Sequence, residues 1–113
     1  MGTELKIVER LGEIMVLLPR EIDHHAAKEI REKIDELIIS AEPVRLVLDF
    51  FLVDFMDSSG IGLIIGRSEI AAGYGGDVVI VNSKPHIRRL FVMSGIQKIK
   101  NLYIKDYKGT VLR

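Results

Sequence analysis

The first part of the chain carries the two-residue alternation of β-strands. Leu5 and Ile7 are apolar positions separated by a polar one, and they predict an edge strand. A turn at Gly12 leads into a second strand over residues 13–18. Pro19 ends that strand, because proline cannot donate a hydrogen bond to a sheet.

The pattern then changes to that of an amphipathic helix. Asp23 is a suitable N-cap, and Pro43 ends the element. Between them, apolar residues recur at spacings of three and four, at Ala26, Ala27, Ile30, Ile34, Leu37 and Ile38. The nearly continuous apolar run over residues 44–50 predicts a strand covered on both faces.

Two further helices follow, each leading to another strand. One helix is predicted over about residues 58–72, where a glycine-rich segment breaks it, and residues 78–81 form a short buried strand. Ser83 and Pro85 open the next helix.

Gly95 is a plausible C-cap of that third helix, and residues 102–104 form a last strand. The predicted order is ββαβαβαβ. Strands joined by helices pair mostly in parallel, so we expect one α/β domain over residues 1–113.

Composition excludes several classes of site. The 113 residues include no cysteine, which rules out a disulfide, a zinc–thiolate site and a thiol nucleophile. The N-terminus lacks the pattern of a signal peptide, and the apolar runs are too short to span a bilayer. We therefore expect a cytoplasmic protein that does not enter the membrane.

Charge is unevenly distributed although the net charge is zero. Residues 1–83 hold 8 basic and 15 acidic side chains, and residues 84–113 hold 8 basic and 1 acidic. A basic end is found in nucleic-acid-binding proteins. Here the cations are spread among apolar residues, which favours solvated helix and strand faces and no direct contact with nucleic acid.

The most informative segment is residues 55–67, which follows a strand and opens a helix. Asp57 and Ser58 can cap free backbone N–H groups there. Gly60 and Gly62 leave the helix start bare, so another molecule can approach the backbone. A phosphate on Ser58 would face backbone N–H donors and the positive end of the helix dipole.

Other interpretations of this segment stay open from the residues alone. Ser58 can be a simple cap, or a serine nucleophile if His24 or His25 approaches it. The G-x-S-x-G elbow is absent, since Met56 stands where its first glycine would be.

Two ligand-binding interpretations are weaker. Gly60 and Gly62 form only a G-x-G pattern, without the lysine of a nucleotide-binding loop. His24 and His25 considered as a metal site lack further ligands, and we expect neither a metal nor a cofactor.

Three separated motifs carry a resemblance to a known family. They are residues 21–25, 55–67 and 88–95, and the similarity extends over residues 4–105. The chain resembles the anti-sigma factor antagonists, whose fold is the STAS (sulfate-transporter and anti-sigma-antagonist) domain. The resemblance implies a small mixed sheet of four to five strands with helices mainly on one face.

The resemblance also implies a function. Ser58 matches the serine that accepts phosphate from an anti-sigma factor that is also a serine kinase. The unphosphorylated antagonist binds that partner and releases the sigma factor, phosphorylation switches binding off, and a PP2C-type phosphatase restores it. Such an antagonist is not an enzyme, and it promotes sigma-factor-dependent transcription in sporulation or stress.

The partner-binding residues implied by the matching motifs are Asp23, His24, Asp57, Ser58, Ser59, Gly60 and Gly62. We expect a monomer or weak dimer. The alternative is a STAS scaffold or sensor-coupled interaction domain without a phosphorylation cycle.

Two segments depart from the family pattern. Residues 50–53 are Phe-Phe-Leu-Val where the family often has small or polar residues, so part of this segment is expected in the core and part as an exposed apolar patch. Residues 105–113 contain glycine and β-branched residues and are not expected to form a full helix.

Overall fold

The computed structural model describes residues 5–105. Its helices are α1 (His24–Ala41), α2 (Ser58–Gly73) and α3 (Pro85–Ser94), with a 3₁₀ turn at Ile96–Lys98. Its strands are β1 (Lys6–Arg10), β2 (Glu13–Leu17), β3 (Glu21–Ile22), β4 (Arg45–Asp49), β5 (Phe55–Met56), β6 (Asp77–Val81) and β7 (Leu102–Ile104).

Five strands form one mixed sheet in the order β1-β2-β4-β6-β7. β1 and β2 are antiparallel, and the other neighbouring pairs are parallel. The predicted mixed α/β fold is confirmed. The structure adds β3 and β5, which pair in parallel outside the main sheet, with Glu21 opposite Phe55 and Ile22 opposite Met56.

One face of the sheet carries the hydrophobic core. Ile14, Leu46 and Val78 lie in register across β2, β4 and β6, and all three are buried. Buried side chains of all three helices belong to the same cluster. The helices therefore pack on this face, as expected.

The helix α1 begins and ends where the sequence predicts. The carboxylate of Asp23 accepts a hydrogen bond from the backbone N–H of Ala26 at 2.8 Å. At the other end Glu42 is left-handed, with φ of 43°, and the buried Pro43 follows. This N-cap fixes the position at which the helix leaves β3.

A buried ion pair joins α1 to α2. Arg67 is only 4% exposed, and its Nε lies 2.8 Å from Oδ1 of Asp35, although the two groups are poorly aligned for a hydrogen bond. Burial lowers the pKa of Arg67, while the Asp35 carboxylate opposes that shift. The pair therefore links α1 to α2 near the middle of each helix.

The start of α3 differs from the prediction in one residue. Lys84 occupies the N-cap position, with Pro85 in the first turn, and it makes no side-chain capping hydrogen bond. Ser83 does not cap the helix, because it lies one residue before the N-cap position, and its side chain is buried. Gly95 is the predicted C-cap and is left-handed, with φ of 79°.

The last predicted strand is confirmed as β7. The expectation that the C-terminal segment does not form a full helix falls mostly on residues 106–113, which lie outside the described residues.

Candidate functional site

Two helix N-termini are brought side by side by the short β3–β5 pair. Each strand is followed by one aspartate and then by a helix: Asp23 precedes α1 and Asp57 precedes α2. The N–H of Asp57 donates to the carbonyl of Ile22 at 3.3 Å and ties the two segments together. The sequence motifs at residues 21–25 and 55–67 therefore meet in one place.

Asp57 is the N-cap of α2. Its carboxylate accepts a hydrogen bond from the N–H of Ser59 at 2.8 Å. Ser58 is the first residue of the helix, and it is exposed. Asp57 therefore caps the helix, and the Ser58 hydroxyl faces solvent.

Removing this cap gives a first testable prediction. Asp57→Ala is expected to lower the free energy of unfolding by about 1 kcal/mol, the usual cost of losing an N-cap. Ser58→Ala is expected to change it by less than about 0.5 kcal/mol, as for an ordinary surface substitution. Urea denaturation measures both. A larger loss for Ser58→Ala would show that its hydroxyl supports the fold.

His24 approaches the second serine and not the first. Its Nδ1 lies 3.5 Å from the Oγ of Ser59. A serine nucleophile needs its base at about 2.6–3.2 Å. This geometry does not support Ser58 as the nucleophile of a serine–histidine pair.

The two glycines of the helix start have different surroundings. Gly60 is buried, and a Cβ built on it would lie 2.2 Å from Cγ of Met56. Gly62 is exposed, and apart from its chain neighbours and the backbone of its own helix a Cβ there would have nothing within 4 Å. The expectation that Gly60 leaves the helix start bare for another molecule is therefore wrong: Gly60 packs on Met56, which any larger residue would have to displace.

A groove of about 390 Å³ runs between the first turns of α1 and α2. Its lining includes His24, Ser59 and Gly62 together with two cations, Lys28 and Arg31. These cations were not identified from the sequence as part of the site. Their helical spacing could have indicated it, since residues 24, 28 and 31 are separated by four and three positions and share one face.

Asp54 lies in the connection before β5 and is held by two cations. Lys84 donates to one of its oxygens, and Arg20 contacts the other at 3.1 Å. The hydrogen bond from Lys84 lowers the pKa of Asp54, and Arg20 acts in the same direction. The negative charge of Asp54 is thus compensated locally.

The apolar segment after β4 is divided between the core and the surface, as expected. Phe50 and Val53 are fully buried in the core, whereas Phe51 is 64% exposed and Leu52 is partly buried. Phe55, on β5, is also exposed. An apolar surface therefore flanks the segment that leads to Ser58.

The histidines do not form a metal centre in the described part of the chain. His25 pairs with Glu29 at 3.0 Å. Within residues 5–105, no group of three histidine, cysteine, aspartate or glutamate side chains is arranged to hold a metal ion.

Comparison with known proteins places this chain in a family. The family model of the STAS domain matches residues 4–105, which is most of the chain. This chain belongs to the STAS domain family. The mixed sheet, the helices on one face and the paired helix starts of the site are thus elements of a STAS domain.

Relatives of this STAS domain include named regulators. The chain is 34% identical over 103 residues to the anti-sigma F factor antagonist of Paenibacillus polymyxa, covering 91% of this chain and 88% of that protein. It is similar to the solved structure of the unphosphorylated anti-sigma factor antagonist SpoIIAA, at 31% identity and a TM-score of 0.78, over 93% of this chain and 87% of that one.

A phosphorylated relative has also been solved. The Bacillus cell fate determinant SpoIIAA in its phosphorylated form matches with 31% identity and a TM-score of 0.71, covering 93% of this chain and 90% of that chain. In residues 5–105 of this STAS domain, no helix is both long enough and apolar enough to cross a bilayer.

Proposed function

We propose that this STAS domain is an anti-sigma factor antagonist whose binding is switched off by phosphorylation of Ser58. The observation that carries the proposal is the position of Ser58, an exposed hydroxyl at the first residue of α2. The similarity to a relative solved in unphosphorylated and phosphorylated forms supports it.

The helix start can accept a phosphate without unfolding. A phosphoserine carries about −1.5 to −2 charges at neutral pH, and the positive end of a helix dipole favours such a group. Asp57 already supplies the capping hydrogen bond, so Ser58 is free for modification. Phosphorylation therefore changes the surface and leaves the core as it is.

The surface around Ser58 is the proposed contact with the anti-sigma factor. Asp23, His24, Ser59 and Gly62 surround the two helix starts, and Gly60 shapes the surface from below. A partner that fits a neutral hydroxyl there would meet added bulk and about −1.5 to −2 new charges from the phosphate, next to the carboxylate of Asp57. Like charges brought together in an interface cost several kcal/mol. Because about 1.4 kcal/mol corresponds to a tenfold change in affinity, this repulsion is enough to switch binding off.

The phosphate donor in this proposal is the anti-sigma factor itself, acting as a serine kinase with ATP. A PP2C-type serine phosphatase would remove the phosphate. The antagonist is then the substrate of both enzymes, and its unphosphorylated form promotes sigma-factor-dependent transcription.

Mapping the phosphate tests the assignment. Wild type, Ser58→Ala and Ser59→Ala are incubated with the kinase-active anti-sigma factor of the same organism and Mg²⁺-ATP, and mass spectrometry counts and locates the phosphate. We expect one phosphate on wild type and on Ser59→Ala, and none on Ser58→Ala. Phosphate on Ser59, or on Ser58→Ala, would contradict the proposal.

A further inference from the structure

A second groove lies at the carboxyl ends of β4 and β6, with a volume of about 460 Å³. Phe51 and Leu52 follow β4 and line one side, and Ser83 and Lys84 follow β6 and line the other. It shares no lining residue with the groove between α1 and α2. Small-molecule sites have volumes of about 300–1,000 Å³ and lie at this end of α/β sheets.

The groove has an apolar side and a basic side. The exposed ring of Phe51 and the partly buried Leu52 provide the apolar surface. Arg20, Lys84 and Arg88 provide three cations. An occupant that matches both sides has an apolar body and an anionic group.

Nearby carboxylates compensate only part of this positive charge. Asp54 is shared by Arg20 and Lys84. Asp49 accepts hydrogen bonds from Asn82 and from the N–H of Phe51. Counting both carboxylates against the three cations leaves one positive charge, which suits a monoanion.

Two polar groups at the groove have unused hydrogen-bonding capacity. Ser83 is 4% exposed, and its Oγ has no hydrogen-bond partner among the described residues. Nε of Arg88 is also buried and has no hydrogen-bond partner within residues 5–105, while another nitrogen of the same guanidinium donates to the Ser83 carbonyl at 3.2 Å. These two atoms lie beneath the groove surface, and the bond to the Ser83 carbonyl holds the Arg88 guanidinium at the groove wall. The fork of a guanidinium matches a carboxylate.

We propose that the groove between Phe51–Leu52 and Ser83–Arg88 binds a small organic carboxylate with an aryl or alkyl body. The apolar body lies against Phe51 and Leu52. The carboxylate pairs with the two neighbouring cations of the basic side, the Lys84 ammonium and the Arg88 guanidinium. This site is separate from Ser58, so its test requires no anti-sigma factor.

Amide NMR of the ¹⁵N-labelled full chain tests the proposal with three probes. 2-Naphthoate carries both the body and the charge, 2-naphthylmethanol carries the body alone, and acetate carries the charge alone. We expect saturable shifts with naphthoate at residues 51–52 and 82–84, at least about tenfold weaker binding of the alcohol, and no saturable shift with acetate. Equal affinity for the alcohol, no saturation, or shifts confined to the α1–α2 groove would overturn the proposal.

Variants test which side chains hold the charge. Arg88→Gln and Lys84→Gln should each weaken naphthoate binding several-fold, whereas Arg31→Gln, in the other groove, should leave it unchanged. If Arg88→Gln fails to fold, the variant of the half-buried Lys84 decides the question. Undiminished naphthoate binding by the folded Lys84 and Arg88 variants would contradict the proposal. Shifts of the groove amides that depend on protein concentration in the absence of ligand would also contradict it, because a second copy of the chain would then occupy the groove.

Discussion

Ser58→Asp is expected to weaken the complex with the anti-sigma factor by at least about tenfold, while the melting temperature stays close to that of wild type. The carboxylate adds a negative charge next to Asp57 on the surface proposed to contact the partner. It also lies at a helix N-terminus, where negative charge is favourable, so the fold should tolerate it. Isothermal titration calorimetry and thermal denaturation measure the two effects.

Ser40→Asp is the matched control for this variant. Ser40 is an exposed serine at the opposite end of α1, so the same substitution adds the same charge far from both helix starts. We expect wild-type affinity, with a small loss of stability because negative charge is unfavourable near a helix C-terminus. Equal weakening by both variants would mean that overall charge, and not position 58, governs binding.

Gly62→Leu is also expected to weaken binding to the anti-sigma factor without lowering stability. Glycine in a helix costs about 1 kcal/mol relative to better helix formers, and a Cβ at this position clashes with nothing outside its own helix. The melting temperature should therefore stay equal or rise. Affinity for the anti-sigma factor should fall at least about tenfold, since a leucine would project from the proposed contact surface.

Two other glycines of α2 provide controls. Gly73→Leu makes the same change at the far end of the helix, where a Cβ is also free of contacts, and should leave binding unchanged. Gly60→Ala should destabilise the fold by about 1–3 kcal/mol through overpacking against the buried Met56. If Gly62→Leu unfolds the chain while Gly60→Ala does not, Gly62 is the glycine required for packing, which contradicts our account of the two positions.

Local signals in the sequence were sufficient for the main elements. Asp23 caps α1 as predicted, because an aspartate before an amphipathic pattern can satisfy a free N–H whatever the tertiary context. The three- and four-residue spacing that follows placed Ile30 and Ile34 in the core. The parallel order of β4 and β6 followed from the helix between them.

Features that depend on contacts distant in sequence could not be predicted in the same way. β3 and β5 have two residues each, too few for any alternation to show, yet their pairing assembles the site. Gly60 and Gly62 look equivalent in the sequence, and only the packing of Met56 distinguishes them. Nothing around Asp54 in the sequence indicates that its charge is compensated by Lys84, thirty positions away.

The most direct test of the switch at Ser58 compares two forms of the same chain. Protein carrying one phosphate on Ser58 is separated from unphosphorylated protein, and each form is titrated into the same preparation of anti-sigma factor by calorimetry. We expect saturable one-site binding by the unphosphorylated form and at least about tenfold weaker binding by the phosphorylated form, with full recovery after phosphatase treatment. Equal affinity of the two folded forms would contradict the account.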